Sequence, residues 1–201
     1  MKRRILTWGV GGALGVVFLL LAWQAVFGTY TYQGSSIDPP VPAADFELIN
    51  QYGEPFRLGD QRGRVVLIFF GYTNCPDVCP VTLTDFKYVK DGLGERAEQV
   101  RFLFITVDPE RDNPEWLEKH LANFDPDFVG LTAEREILED VWRDYGVYQE
   151  KKETGSAAGY LVNHTARSYA VDKQGNLRLT YPFEMDRKAI LEDVRHLLME
   201  E

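Results

Sequence analysis

The chain has 201 residues, 22 of them basic and 31 acidic, for a formal net charge of −9. That balance argues against nucleic acid or an anionic lipid surface as a partner. With only two cysteines, the chain also lacks the thiols for a framework of several disulfides.

Lys2, Arg3 and Arg4 precede a run from Ile5 to Phe27 that carries no charge and has only Thr7 and Gln24 as clearly polar residues. About 20 apolar residues cross a hydrocarbon core of roughly 30 Å, so the run is long enough for one transmembrane helix. Bases before it and none just after put the N-terminus in the cytoplasm and residue 28 onward outside. The competing reading is a cleaved signal peptide, whose apolar region is shorter, about 7–15 residues, and ends at a small-x-small site. Trp23 and Gln24 before Ala25 fit that poorly, Val26-Phe27-Gly28 is a weak candidate, and the uncleaved anchor is favoured. No cysteine follows the run to accept a lipid. Residues 28–42, with Gly34, Ser35, Ser36, Pro39, Pro40 and Pro42, read as a polar tether. Residues 43–201 are then one domain with a real core.

Within that domain, Phe46 to Asn50 and Glu54 to Leu58 flank Gln51-Tyr52-Gly53 as a hairpin. Val65 to Phe70 is a continuous apolar run that predicts a buried strand, and a helix follows over 80–92. Val100 to Val107 is a second apolar strand, ending in Asp108-Pro109-Glu110-Arg111-Asp112. Asn113-Pro114 is a helix start, with Trp116, Leu117, Leu121 and Phe124 at helical spacing behind it. A further helix over 134–145 puts Ile137, Leu138, Val141, Trp142 and Tyr145 on one face. Ser168 to Val171 and Leu177 to Leu179 bracket the turn 172–176 as a second hairpin. An amphipathic helix begun by Asp186 closes the chain. No internal repeat or low-complexity tract interrupts this order. The class is α/β with a mixed sheet flanked by helices.

Both cysteines fall in one stretch, Cys75-Pro76-Asp77-Val78-Cys79, where the buried strand hands over to a helix. A dithiol at that junction, with this order of elements, is the arrangement of a thioredoxin-like fold. Free N–H groups and the dipole at a helix N-terminus favour thiolate over thiol. The usual redox spacing is C-x-x-C, and here there is one residue more. Helical residues i and i+4 have Cβ atoms ~5–6 Å apart, beyond the ~3.5–4.5 Å of a disulfide. A loop can close that gap, so a reversible disulfide stays feasible, and the wider spacing also suits two thiolates on one soft metal ion. Two cysteines are too few for an iron–sulfur cluster, and structural zinc wants four protein ligands. Two thiolates with one imidazole make a three-coordinate site that suits copper.

Three histidines are available. His120, beside Glu118 and Lys119, and His196, in the last helix, read as solvent-facing. His164 follows Gly159-Tyr160-Leu161-Val162-Asn163 and is expected at a strand entrance, where either a structural or a ligand role fits.

The run Val66 to Leu83, containing Phe70-Gly71-Tyr72-Thr73-Asn74-Cys75-Pro76-Asp77-Val78-Cys79-Pro80, resembles the signature of the Sco/SenC family of copper chaperones. Val107-Asp108-Pro109-Glu110-Arg111-Asp112 and Tyr160-Leu161-Val162-Asn163-His164-Thr165 resemble two further family segments, in the same order. The resemblance covers the whole exported domain, and the family's membrane anchor fits too. It implies that Cys75, Cys79 and His164 ligate copper, as Cu(I) or Cu(II). It implies a role in assembling the binuclear copper centre of cytochrome c oxidase subunit II, and other copper chaperones as further partners. Two positions depart from the commonest family pattern. Asn74 stands where a histidine is frequent, and Asn163 where an aspartate usually precedes the ligand histidine. The second change removes a carboxylate near the metal, so affinity can differ from that of relatives. Asp77 reads equally as a turn former and as a residue tuning the loop or the metal's charge. Asp108 reads as closing the chain reversal after its strand rather than as a ligand.

The leading expectation is a single-pass cell-membrane metallochaperone, anchored through residues 5–27, with its C-terminal domain on the periplasmic or extracytoplasmic side. Reduced Cys75 and Cys79 with His164 carry copper, and loss of metal lets the thiols form a disulfide. The alternative is a thiol-disulfide oxidoreductase that uses the same two sulfurs on partner cysteines without delivering metal; peroxidase action is its weaker form. A structural disulfide in a binding module explains export but neither the histidine nor the motifs.

Overall fold

The computed structural model describes residues 30–156 and 159–200. The chain divides into the units Met1–Thr31 and Tyr32–Glu201, and the fold described is that of the second. The expected anchor, residues 5–27, lies outside the described residues. Among the described residues no helix is long and apolar enough to cross a membrane.

Among the described residues, ten strands and four α-helices follow one another along the chain. They are β1 (Ser35–Pro42), β2 (Glu47–Asn50), β3 (Pro55–Arg57), β4 (Val65–Gly71), α1 (Val78–Leu93), β5 (Val100–Thr106), α2 (Pro114–Ala122) and β6 (Val129–Thr132). Then come α3 (Arg135–Asp144), β7 (Gln149–Ser156), β8 (Gly159–His164), β9 (Arg167–Val171), β10 (Asn176–Pro182) and α4 (Arg187–Leu197). Eight strands form one mixed sheet in the order β1-β10-β9-β4-β5-β6-β2-β3, while β7 and β8 form a separate two-stranded sheet. β4, β5 and β6 are parallel, and β9 runs antiparallel to β4 on the other side. Parallel neighbours need crossovers, which α1 and α2 supply. This is the expected mixed sheet with flanking helices.

β4 reads as an unbroken apolar run because both its faces are covered; Val65 to Phe70 are 0–1% exposed. Phe69 pairs with Phe104 and packs against it on one face, where Phe86 of α1 meets Phe102. Phe70 points the other way, into Tyr145 and Tyr169. Helix starts follow their caps: Asn113 accepts from the Trp116 N–H before Pro114, and Asp186 accepts from the Lys188 N–H. Two residues assigned by periodicity to inward faces lie outside, Trp116 at 57% and Ile137 at 47% exposed. Each is flanked by a residue that does turn inward, Leu117 and Leu138.

Three segments differ from the sequence-based expectation. Residues 28–42 read as a tether, but Ser35–Pro42 is an edge strand against β10. Prolines misled there, because an edge strand tolerates the missing N–H. Gln33 and Gly34 before it donate their backbone N–H groups to the buried Asp193 carboxylate of α4. β6 was not anticipated, being only four residues long, with Gly130 lying tight against Leu117 and Leu121 of α2. The β7–β8 hairpin was also missed, since Glu150, Lys151, Lys152 and Glu153 carry no apolar alternation. His164 is therefore the last residue of β8 rather than the entrance to β9.

Candidate metal centre

At the carboxyl ends of β4 and β5 the chain turns into loops that carry the chemistry, as open α/β sheets generally arrange it. β4 ends at Gly71, and this position has no room for a side chain: a Cβ there would lie 2.8 Å from Cys79 Sγ and 2.8 Å from the Phe104 ring. Tyr72 follows, buried, and its carbonyl accepts from the Cys75 N–H at 3.2 Å, folding the loop back. Cys75 is half-buried in that loop, and Cys79, in the first turn of α1, is fully buried. Both are free thiols.

His164 comes from the hairpin. Its Nε2 lies 3.6 Å from Cys79 Sγ, and its Nδ1 lies 3.2 Å from the Thr165 carbonyl. A carbonyl only accepts, so in that bond Nδ1 carries the proton, and Nε2 is the ring nitrogen directed at the sulfurs. The ring is held edge-on between Tyr72 and Phe69, at centroid distances of 5.8 and 6.0 Å. The ligand atoms of Cys75, Cys79 and His164 all lie within 4.8 Å of one another. Residues 75, 79 and 164 are brought to one point from two separate sheets.

The two sulfurs differ electrostatically. A hydrogen bond from the Cys79 thiol, opposed by burial, holds Cys75 well below the usual thiol range, with His164 and the Asp77 and Cys79 backbone N–H groups adding to the effect. Burial pushes Cys79 well above that range, and the neighbouring Cys75 pushes it further. Two thiolates and one imidazole form a soft donor set suited to Cu(I), and too few to enclose structural zinc.

Around the centre lies a polar frame only partly visible in the sequence. Asp112, fully buried, accepts from Thr73 Oγ1 at 2.6 Å, Thr73 N–H at 3.1 Å and Thr106 Oγ1 at 2.7 Å, pinning the cysteine loop to the end of β5. Burial raises its carboxyl against those hydrogen bonds. Asp108, also fully buried, does accept Arg111 and Asp112 N–H groups on its carbonyl in a chain reversal. Its carboxylate has a further task, binding Arg111 Nε and the Tyr160 hydroxyl. Asp77 occupies the position before α1 without a side-chain cap, and it is exposed, as are Asn74 and Asn163. His120 is not solvent-facing: it packs on Phe104 and Phe124, its Nε2 is buried without a hydrogen-bond partner among the described residues, and burial lowers its pKa. His196 is also partly covered, edge-on to Tyr32. Tyr72, Thr73, Thr106, Arg111, Asp112 and Tyr160 were missed as site residues. Their signal was position, at the ends of β4 and β5 and inside the three motifs.

The family model described as SCO1/SenC matches residues 35–199. The chain belongs to the SCO1/SenC family. A SCO2-like protein of Rickettsia prowazekii is 35% identical over 148 residues, covering 73% of this chain and 72% of that one. Among solved structures, ScoI of Bradyrhizobium japonicum with copper bound matches at a TM-score of 0.72 and 34% identity, covering 79% of this chain and 100% of that one. Apo Sco1 of Thermus thermophilus matches at 0.75 and 36% identity, covering 85% and 99%. The fold of this SCO1/SenC member is thioredoxin-like, as the dithiol junction led one to expect.

Proposed function

We propose that this chain is a membrane-anchored copper metallochaperone that helps assemble the binuclear copper centre of cytochrome c oxidase subunit II. The observation that carries this reading is the convergence of Cys75, Cys79 and His164, whose ligand atoms lie within 4.8 Å of one another. Family membership and a solved relative described with copper bound support it. Copper is cargo here. The Cys75 and Cys79 thiolates and His164 Nε2 hold it, and the half-exposed Cys75 is the ligand an acceptor cysteine displaces first. The uncharged run from Ile5 to Phe27 would hold the domain on the extracytoplasmic side, beside an oxidase subunit.

The test is copper titration of the reduced full chain. One copper per chain is expected, with an intense thiolate-to-copper charge-transfer band on Cu(II) loading. A Cys75→Ser/Cys79→Ser variant that bound copper with undiminished affinity would overturn the ligand assignment.

A second reading, reduction of partner disulfides, draws on the asymmetry of the sulfurs. Cys75, with its lowered pKa, attacks a partner disulfide, forming a mixed disulfide and releasing one partner thiolate. Cys79 then loses its proton to solvent and attacks Cys75 Sγ, releasing the second partner sulfur and leaving a Cys75–Cys79 disulfide. The partner is reduced by the two electrons this pair loses. That exchange needs no imidazole. His164→Ala should therefore impair oxidase assembly at limiting copper if metal delivery is the function; full assembly with His164→Ala, but none with Cys75→Ser, establishes thiol reduction instead.

A further inference from the structure

Among the described residues, the β7–β8 hairpin that ends in His164 shares no backbone ladder with the eight-stranded sheet whose strand β4 leads into the cysteine loop. Its attachment near the metal centre is made by side chains. The hairpin closes on itself at its base, where the Thr165 N–H donates to the Tyr148 carbonyl and the Tyr148 N–H to Thr165 Oγ1. Higher up, the Val162 N–H donates to the Tyr72 hydroxyl at 3.2 Å. The largest group of contacts is at Tyr160. Arg111 Nη1 donates to the Tyr160 carbonyl at 2.9 Å, and the guanidinium lies over the Tyr160 ring, 3.7 Å from its centroid. The Tyr160 hydroxyl donates to Asp108 Oδ1 at 2.7 Å, while Asp108 Oδ2 takes the Nε–H of the same Arg111.

These contacts close a ring in which one guanidinium grips the backbone, the aromatic face and, through Asp108, the hydroxyl of a single residue. A planar guanidinium is suited to all three roles at once, and an ammonium is not. Among the described residues Arg111 makes no hydrogen bond to Cys75, Cys79 or His164. It also carries a cost that a packing residue would avoid, since Arg111 Nη2 is buried without a hydrogen-bond partner among the described residues. Tyr160 stands four residues before His164 on the same strand, so the two share a face and the hold on Tyr160 fixes the line along which His164 lies.

We propose that Arg111, with Asp108 and Tyr160, is a positioning latch that holds the hairpin down so that His164 Nε2 faces the two sulfurs. The proposal rests on the reading of His164 as a ligand. Arg111 and Asp108 belong to the loop after β5 and hence to the rigid sheet, so the latch ties the movable ligand to the fixed ones. Releasing it leaves Cys75 and Cys79 where they are and lowers the local concentration of the imidazole.

The experiment compares the full chain with Arg111→Met, Arg111→Lys, Tyr160→Phe and His164→Ala. Copper affinity is measured by competition, and imidazole nitrogen coupling by electron paramagnetic resonance of the Cu(II) form. Outer-shell partners of metal ligands typically contribute about 10–100-fold in affinity. Arg111→Met is expected to weaken binding on the order of ten-fold and to diminish the nitrogen coupling, with the thiolate charge-transfer band retained. Arg111→Lys should not rescue it, and Tyr160→Phe, which keeps the stacked ring, should fall between wild type and Arg111→Met. A change of packing alone would not remove the nitrogen signal and spare the sulfur one. If His164→Ala loses affinity and coupling while folded Arg111→Met keeps both, the latch is overturned and the ligand reading stands. If His164→Ala itself changes neither, the ligand reading fails and takes the latch with it. Should Arg111→Met not fold, Tyr160→Phe decides: reduced coupling supports the latch, and wild-type affinity and coupling overturn it.

Discussion

The cysteines and the histidine reach the same point by different physical means. Cys75 and Cys79 sit where β4 passes into α1, on a strand whose residues Val65 to Phe70 are 0–1% exposed and whose neighbours are buried on both faces. His164 ends a hairpin whose outer strand presents Glu150, Lys151, Lys152 and Glu153 to solvent. The sulfurs are placed by apolar burial, which is large and non-directional. The imidazole relies more on directional contacts, each modest by itself, since Val162 is the one buried apolar side chain described on its strand. A carrier that must bind tightly and still release gains from that division, because one ligand can leave without disturbing the scaffold that holds the others.

The largest effect should come from breaking the burial side. Phe104 is 1% exposed and packs on Phe69, with His120 against its ring. Phe104→Ala should cost about 3–5 kcal/mol of unfolding free energy, measured by urea denaturation of the reduced chain. Gly71→Ala comes next. Its Cβ would lie within 2.9 Å of Cys79 Sγ and the Phe104 and Phe69 rings, so about 1–3 kcal/mol of overpacking is expected. Because one of the atoms displaced is a sulfur, copper affinity should fall with stability. A variant that loses stability yet keeps full affinity would separate the frame from the site.

The smallest effect probes the hairpin surface through pH. Burial alone would raise the Glu110 carboxyl, but hydrogen bonds from Lys151 and Arg135 outweigh it and bring the pKa to about 2. The folded pKa lies below the ordinary 4.5, so this stabilisation is complete above about pH 4.5 and is lost as pH falls towards 2. Glu110 is partly exposed, so solvent screening keeps the contribution small. The stability gap between the wild type and Glu110→Gln should be flat from pH 7 down to about 5 and narrow below that. A gap that widens on acidification contradicts the assignment.

Legibility followed the same division. β4, β5, the helix caps Asn113 and Asp186, and the β9–β10 hairpin announce themselves through apolar runs, capping residues and turn chemistry, all local properties. Proline content hid β1, whose partner β10 is more than 130 residues away in sequence. The charged strand β7 has no apolar period to read, which hid its pairing with β8. His120 looked like a surface residue because Glu118 and Lys119 flank it, and only the packing of α2 on β5 turns it inward.

Residue types and spacing by themselves determined the chemistry of this protein. Two thiols at a strand-to-helix junction and a histidine within a recognisable motif specify a soft donor set, because those functional groups are properties of side chains and survive in any conformation. Tertiary structure alone decided that residues 75, 79 and 164 meet, that Asp112 pins the cysteine loop, and that Arg111 reaches across to Tyr160. Those are contacts between segments 39 to 89 residues apart, set by sheet order and by which face each side chain occupies, and neither is encoded in a local window of sequence.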